Sequence, residues 1–94
     1  MRVLIGYDVA TADKEGQKRL RAVARACKDY GIRVQKSLFE CKLGQKEWVA
    51  LRQTLLSCFD PDQDSLRFYF LDKDTKIEHL GQAKPVDVEQ PLIL

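Results

Sequence analysis

Asp8 is the residue on which a reaction could be built. It closes the apolar run Val3-Leu4-Ile5-Gly6-Tyr7, and a carboxylate at the end of a buried strand is costly unless something favours its charge. A divalent cation such as Mg²⁺ would do so, because hard cations prefer carboxylate oxygen. One carboxylate is a poor metal site alone. A symmetric dimer that joins two Asp8 side chains supplies a second ligand, with water or phosphate oxygens completing the set. A metal held there activates water and neutralises charge on a phosphodiester. The competing reading is that Asp8 caps the turn or helix that follows.

The second constellation is basic. Lys14, Lys18, Arg21, Arg25 and Lys28 are spaced by four, three, four and three residues. At about 100° per residue they fall within an arc of about 80° on a helix, and no acid lies inside it. Such a stripe lowers the cost of approaching a polyanion without reading its sequence; the alternative is an ordinary solvated face. The net charge of +2 conceals an asymmetry, with ten Lys/Arg against five Asp/Glu in residues 1–42 and four against eight in residues 60–94. Nucleic-acid binding therefore belongs to the first half.

Other chemistries are excluded. Cys27, Cys41 and Cys58 are odd in number, widely spaced and set among apolar residues, which makes them small core hydrophobes rather than a redox pair. His79 is the single histidine, so zinc lacks ligands and a hydrolase lacks a His base. No P-loop, G-x-G-x-x-G or Ser/His/Asp set is present. Tyr7, Phe39, Phe68 and Tyr69 have faces on which bases can stack, but their positions in strand segments assign them mostly to the core.

The elements that must position these residues follow from periodicity. Val3 to Tyr7 has the continuous apolar pattern of a strand buried on both faces. A polar connector with Thr11 or Asp13 as N-cap leads into a helix from about Lys14 to Tyr30. It ends at Gly31 and buries Leu20, Val23, Ala24 and Cys27. Ile32 to Cys41 is extended, as one bent strand or two short ones. A second helix spans about Gln45 to Phe59, with Trp48, Leu51, Leu55 and Phe59 on one face. Asp60-Pro61-Asp62 turns the chain, Ser65 to Leu71 is the most strand-like segment, and Lys76 to Leu80 is expected to form a short last strand. The order β-α-β-β-α-β with an extra C-terminal strand is a ferredoxin-like α+β fold in which both helices cover one face of an antiparallel sheet. Residues 1–80 form this nucleic-acid-binding domain. Residues 81–94 form an extension ending in Leu92-Ile93-Leu94, which packs on a partner's sheet edge or on its own domain. No stretch has the roughly 18 apolar residues of a membrane helix, and the N-terminus does not read as a signal peptide. The expected location is the cytoplasm, with no membrane partner.

Four segments together carry a resemblance: Leu4-Ile5-Gly6-Tyr7-Asp8-Val9, Lys18-Arg19-Leu20-Arg21, Arg33-Val34-Gln35-Lys36-Ser37-Leu38-Phe39-Glu40 and Asp64-Ser65-Leu66-Arg67-Phe68-Tyr69. In this order, and with the ending Pro91-Leu92-Ile93-Leu94, the chain resembles the Cas2 family of small CRISPR-associated proteins. The resemblance implies a ferredoxin-like homodimer whose C-terminal segment crosses to the partner's sheet. It implies two Asp8 side chains facing each other across the dimer axis, where Mg²⁺ or Mn²⁺ binds. It implies a metal-dependent endonuclease acting on single-stranded RNA or double-stranded DNA, with Tyr7, Arg19, Arg21, Arg33 and Phe39 at positions linked to activity. Within the same family the alternative is a non-catalytic scaffold that bridges dimers of the CRISPR integrase and supports captured DNA. A ferredoxin-like regulatory or RNA-binding module is a third possibility, but it would not require an acid at the end of the first strand.

Overall fold

The computed structural model describes residues 1–81. The elements are β1 (Arg2–Asp8), α1 (Lys14–Tyr30), β2 (Gly31–Gln35), β3 (Leu38–Lys42), α2 (Gln45–Cys58) and β4 (Ser65–Leu71). The sheet order is β2-β3-β1-β4, antiparallel at every junction. This is the ferredoxin-like arrangement expected from the sequence.

Local chemistry sets the element ends. Asp13, not Thr11, caps α1, its side chain accepting a hydrogen bond from the Gly16 N–H (2.8 Å), with Glu15 in the first turn and Lys28 in the last favouring the helix dipole. Gly44 precedes α2 without a side chain to cap it, and Glu47 reaches back to its N–H instead (2.7 Å). The 31–42 stretch resolves into two strands joined at Lys36-Ser37, with a register shift between Arg33 and Gln35. A two-residue turn lets both strands keep hydrogen-bonded neighbours, which one bent strand would not.

Both helices lie on one face of the sheet. There Val3, Ile5 and Tyr7 of β1 meet Val23, Ala26 and Cys27 of α1, Phe39 and Cys41 of β3, and Trp48, Leu51 and Leu55 of α2. Leu20 and Ala24 are only partly buried, and Ala26 takes a core place not expected from the periodicity. The Trp48 ring sits edge-on to Phe68 (4.9 Å) and Phe70 (5.4 Å), locking α2 to β4.

Two expectations are corrected. Val3 to Tyr7 is not buried on both faces in this chain. Val3, Ile5 and Tyr7 are, while Leu4 and Gly6 are half-buried on a face no helix covers. Nor is there an extra strand among the described residues, since 76–80 has no strand structure. β4 stands at the edge of the sheet, and the chain leaves it without turning back along its outer side. The preceding turn, closed by Thr75 N–H to Asp72 O, is tied to Arg2 through its Thr75 carbonyl (3.0 Å) instead of returning along β4. The expected role of the 82–94 tail lies outside the described residues. No helix of the described chain is long and apolar enough to cross a membrane.

Candidate active site and nucleic-acid interface

Strand alternation decides which way Asp8 points. Tyr7 faces the helices and is buried, so its neighbour Asp8 projects to the open side of the sheet, where it is exposed. Its register partner is Ser65, the last rung of the β1–β4 ladder, with Arg67 opposite Gly6 and Tyr69 opposite Leu4. The Asp8 side chain makes no hydrogen bond or ion pair with any described residue. The capping alternative fails, because that work is done by Asp13. A carboxylate that serves no local purpose is free to hold a ligand. Among the described residues no group of three or more His, Cys, Asp or Glu can hold a metal, so Asp8 fits a cation only as half of a site.

The other candidate residues do not converge on Asp8. Tyr7 and Phe39 lie on the helix side, stacked at 6.3 Å, and Arg33 sits over the Phe39 ring (5.0 Å), a cation–π contact. Burial pushes the Tyr7 hydroxyl up, an effect opposed by the Arg33 guanidinium beside it. Its proton is held, and it has no route to the Asp8 side. Arg33 keeps a buried Nε without a partner among the described residues. Arg21 belongs to the basic stripe. All five residues of that stripe are exposed, on the side of α1 turned away from the core residues Gly16, Val23 and Cys27. Asp8 and the stripe thus lie on opposite sides of a two-layer molecule.

Arg19 is held elsewhere, by Asp64, a residue to which the sequence pattern assigns no role. Its Nε donates to Asp64 Oδ2 (2.8 Å) and its Nη2 approaches Oδ1 (3.3 Å). The Asp64 side chain is fully shielded and also accepts from the N–H groups of Ala10 (3.0 Å) and Asp60 (2.9 Å). The Arg19 guanidinium, with the two amides, holds this carboxyl down at about 2 despite desolvation. The available signal was Arg19 itself, a cation at the edge of an apolar helix face and outside the stripe, which calls for a buried counterion. Tyr69, assigned to the core, is instead 43% exposed on the Asp8 side, hydrogen-bonded by Arg67 (3.2 Å).

The cysteines pack in or against the hydrophobic core. Cys27 and Cys41 are buried and Cys58 is half-buried, all free. Burial pushes Cys27 up to about 12 and Cys41 to about 11, so neither offers a thiolate. His79 is exposed, outside any metal-binding group of the described residues. A concavity at the sheet's other end, lined by Met1, Arg2, Lys42, Leu43, Leu71 and Lys73, is separated from Asp8 by the length of β1, about 20 Å. The Asp8 site is an open surface, which suits a polymer better than a small molecule.

With an aspartate unpartnered among the described residues on its open sheet face and a basic helix behind it, the chain is a small ferredoxin-like α+β domain whose exposed groups suit a polyanionic ligand. The comparisons make this specific. The family model described as "CRISPR associated protein Cas2" matches residues 1–78. A "CRISPR-associated endoribonuclease Cas2" of Nitratidesulfovibrio vulgaris is 50% identical over 96 positions, covering 100% of this chain and 94% of that one. A "CRISPR-associated endonuclease Cas2" of Halalkalibacterium halodurans is 48% identical over 95 positions, covering 99% of both. Among solved structures, Streptococcus pyogenes Cas2 at pH 6.5 superposes with a TM-score of 0.76 at 47% identity, covering 86% of this chain and 100% of that one. The chain belongs to the Cas2 family of CRISPR-associated proteins.

Proposed function

We propose that this protein is a homodimeric, metal-dependent endonuclease of CRISPR spacer acquisition that cleaves phosphodiesters in single-stranded RNA or double-stranded DNA. The observation that carries the reading is Asp8, a carboxylate at a strand end, exposed on the sheet face away from the helices and unpaired among the described residues. The names of its relatives, endoribonuclease and endonuclease, agree with it.

The second protomer follows from the same face. Val3 to Tyr7 carries apolar residues on both sides, yet the described residues cover only one of them. One row across the open face reads Ile32, Glu40, Leu4 and Tyr69, with Ile32 and Tyr69 substantially exposed. A second copy laid on this face buries the row and brings a second Asp8 to the axis. The two carboxylates then hold one Mg²⁺ or Mn²⁺, which supplies charge neutralisation on the phosphodiester and acidifies a water. Ser65 and Arg67 on the same face offer a hydroxyl and a guanidinium to phosphate oxygens.

The test is Asp8→Asn, which keeps shape and removes charge. Mg²⁺-dependent cleavage should vanish while sedimentation still reports a dimer and duplex binding persists. Unchanged cleavage would remove Asp8 from the mechanism.

A second reading has its own observation. The exposed stripe lies on the far side of the helix layer from Asp8, where it supports a scaffold that holds captured DNA between dimers of the CRISPR integrase. A bound duplex needs cations and no catalyst.

A further inference from the structure

We propose that Asp64 is the positioning residue of the Asp8 site and that Arg19 acts through it; this rests on the nuclease reading above. Asp8 is the last residue of β1 and pairs only with Ser65 at the end of the β1–β4 ladder. Ends of ladders fray, whereas a residue that does chemistry has to be held to within about 0.5 Å. The peptide two residues beyond Asp8 is gripped on every side. The Ala10 N–H donates to Asp64 Oδ1 (3.0 Å). The Ala10 carbonyl lies within reach of Arg19 Nη2 (3.4 Å), and it packs so closely on Gly16 of α1 that any Cβ there would overlap the carbonyl oxygen. The same Asp64 carboxylate takes the Arg19 Nε and the Asp60 N–H. Asp64 is joined by one peptide bond to Ser65, the residue across from Asp8.

The pair therefore fixes both strands at the rung that carries Asp8, one through Ser65 and the other through Ala10. Neither Arg19 nor Asp64 presents its charge to the open face. Asp64 is fully shielded and Arg19 is spent on it. Their contribution to any reaction is the placement of the β1 end.

The experiment compares Asp64→Asn, Arg19→Ala, Arg19→Lys and the Asp64→Asn/Arg19→Ala double variant in the full chain, below the melting temperature of each. Two quantities are read: amide hydrogen exchange along β1 and its exit, and kcat and KM for Mg²⁺-dependent cleavage. Exchange at Ala10 should rise about tenfold or more in Asp64→Asn and Arg19→Ala, with Leu4 and Ile5 unchanged. The value of kcat should fall by about 10²-fold with KM nearly constant, as expected for a displaced group. The double variant should be no worse than the more damaging single change, because the two residues form one unit. Arg19→Lys should recover part of the loss. Unchanged Ala10 exchange overturns the proposal, in Arg19→Ala alone if Asp64→Asn does not fold. So does an Arg19→Ala enzyme that loses kcat while Asp64→Asn retains it, which would make Arg19 a direct substrate contact. Absence of Asp8-dependent cleavage in the wild type sinks the nuclease reading instead, and the exchange at Ala10 then decides the clamp by itself.

Discussion

Two aspartates with opposite environments define this protein at the scale of residues. Asp8 is exposed and has no side-chain partner among the described residues, whereas Asp64 is fully shielded and saturated by a guanidinium and two backbone amides. The difference has a consequence in acid. The Asp64 carboxyl sits at about 2 in the folded chain, below its ordinary value of 3.8. A depressed carboxylate contributes stability that is fully present above the unfolded value and is lost as pH falls through the folded one. The chain should therefore lose stability between about pH 4 and pH 2. In Asp64→Asn that limb should be visibly shallower, while the neutral-pH stability is lower. Urea titrations at pH 2, 3, 4 and 7 measure both. Equal slopes for the two proteins would show that other carboxylates govern the acid limb.

At the scale of elements, most of the fold was legible. The bounds of α1 and β4 follow from periodicity and composition alone, because their apolar residues repeat at 3.6 and 2 and their ends carry capping or turn residues. What stayed hidden depends on contacts between elements. The place of Arg19 at the edge of an apolar helix face calls for a counterion, but the partner lies 45 residues away and no local pattern says which acid it is. The missing strand over Lys76–Leu80 is of the same kind, since the path of the chain after the Asp72–Thr75 turn is set by a contact with Arg2 at the far end of the sequence. Gly31 shows a subtler case. Its position after α1 suggests a left-handed cap, yet its backbone is extended (φ −153°, ψ −170°), a conformation open to any residue. Glycine is needed there because a Cβ would collide with Cys41 Sγ and would lie 2.6 Å from the Glu40 carbonyl oxygen across the β2–β3 ladder. Gly31→Ala should cost about 1–3 kcal/mol of overpacking, lowering the melting temperature by about 4–8 °C per kcal/mol in a domain of this size. Adding Cys41→Ala should restore only part of it, since the Glu40 carbonyl remains. Full restoration would assign the whole cost to the sulfur, and no loss in Gly31→Ala would show that β2 moves to make room.

For the whole molecule, the decisive feature is that two layers give two outward faces, and the two candidate activities fall on different ones. Among the described residues Asp8 lies on the side of the sheet away from the helices and the stripe on the outer side of α1, so a duplex lying on the stripe does not reach the Asp8 of the same chain. Binding and cleavage are then separable by mutation. Replacing Lys14, Lys18 and Arg25 with Ala removes three exposed cations from the outer side of α1. If each neutralises one phosphate, the slope of log K against log salt should flatten by about 0.9 per residue, or nearly 3 in all. The kcat for a short single-stranded RNA at saturation should hold. An unaltered salt slope would place the duplex elsewhere on the surface. A fall in kcat alongside affinity would mean that the stripe of one protomer serves the Asp8 site of an assembly. Arg21 then becomes the informative residue, being the one shared by the stripe and the family's activity-linked positions. Its exposure in the middle of the stripe predicts that Arg21→Ala behaves like the stripe variants, weakening duplex binding with kcat unchanged. Loss of kcat at constant affinity would move Arg21 from the binding surface to the reaction.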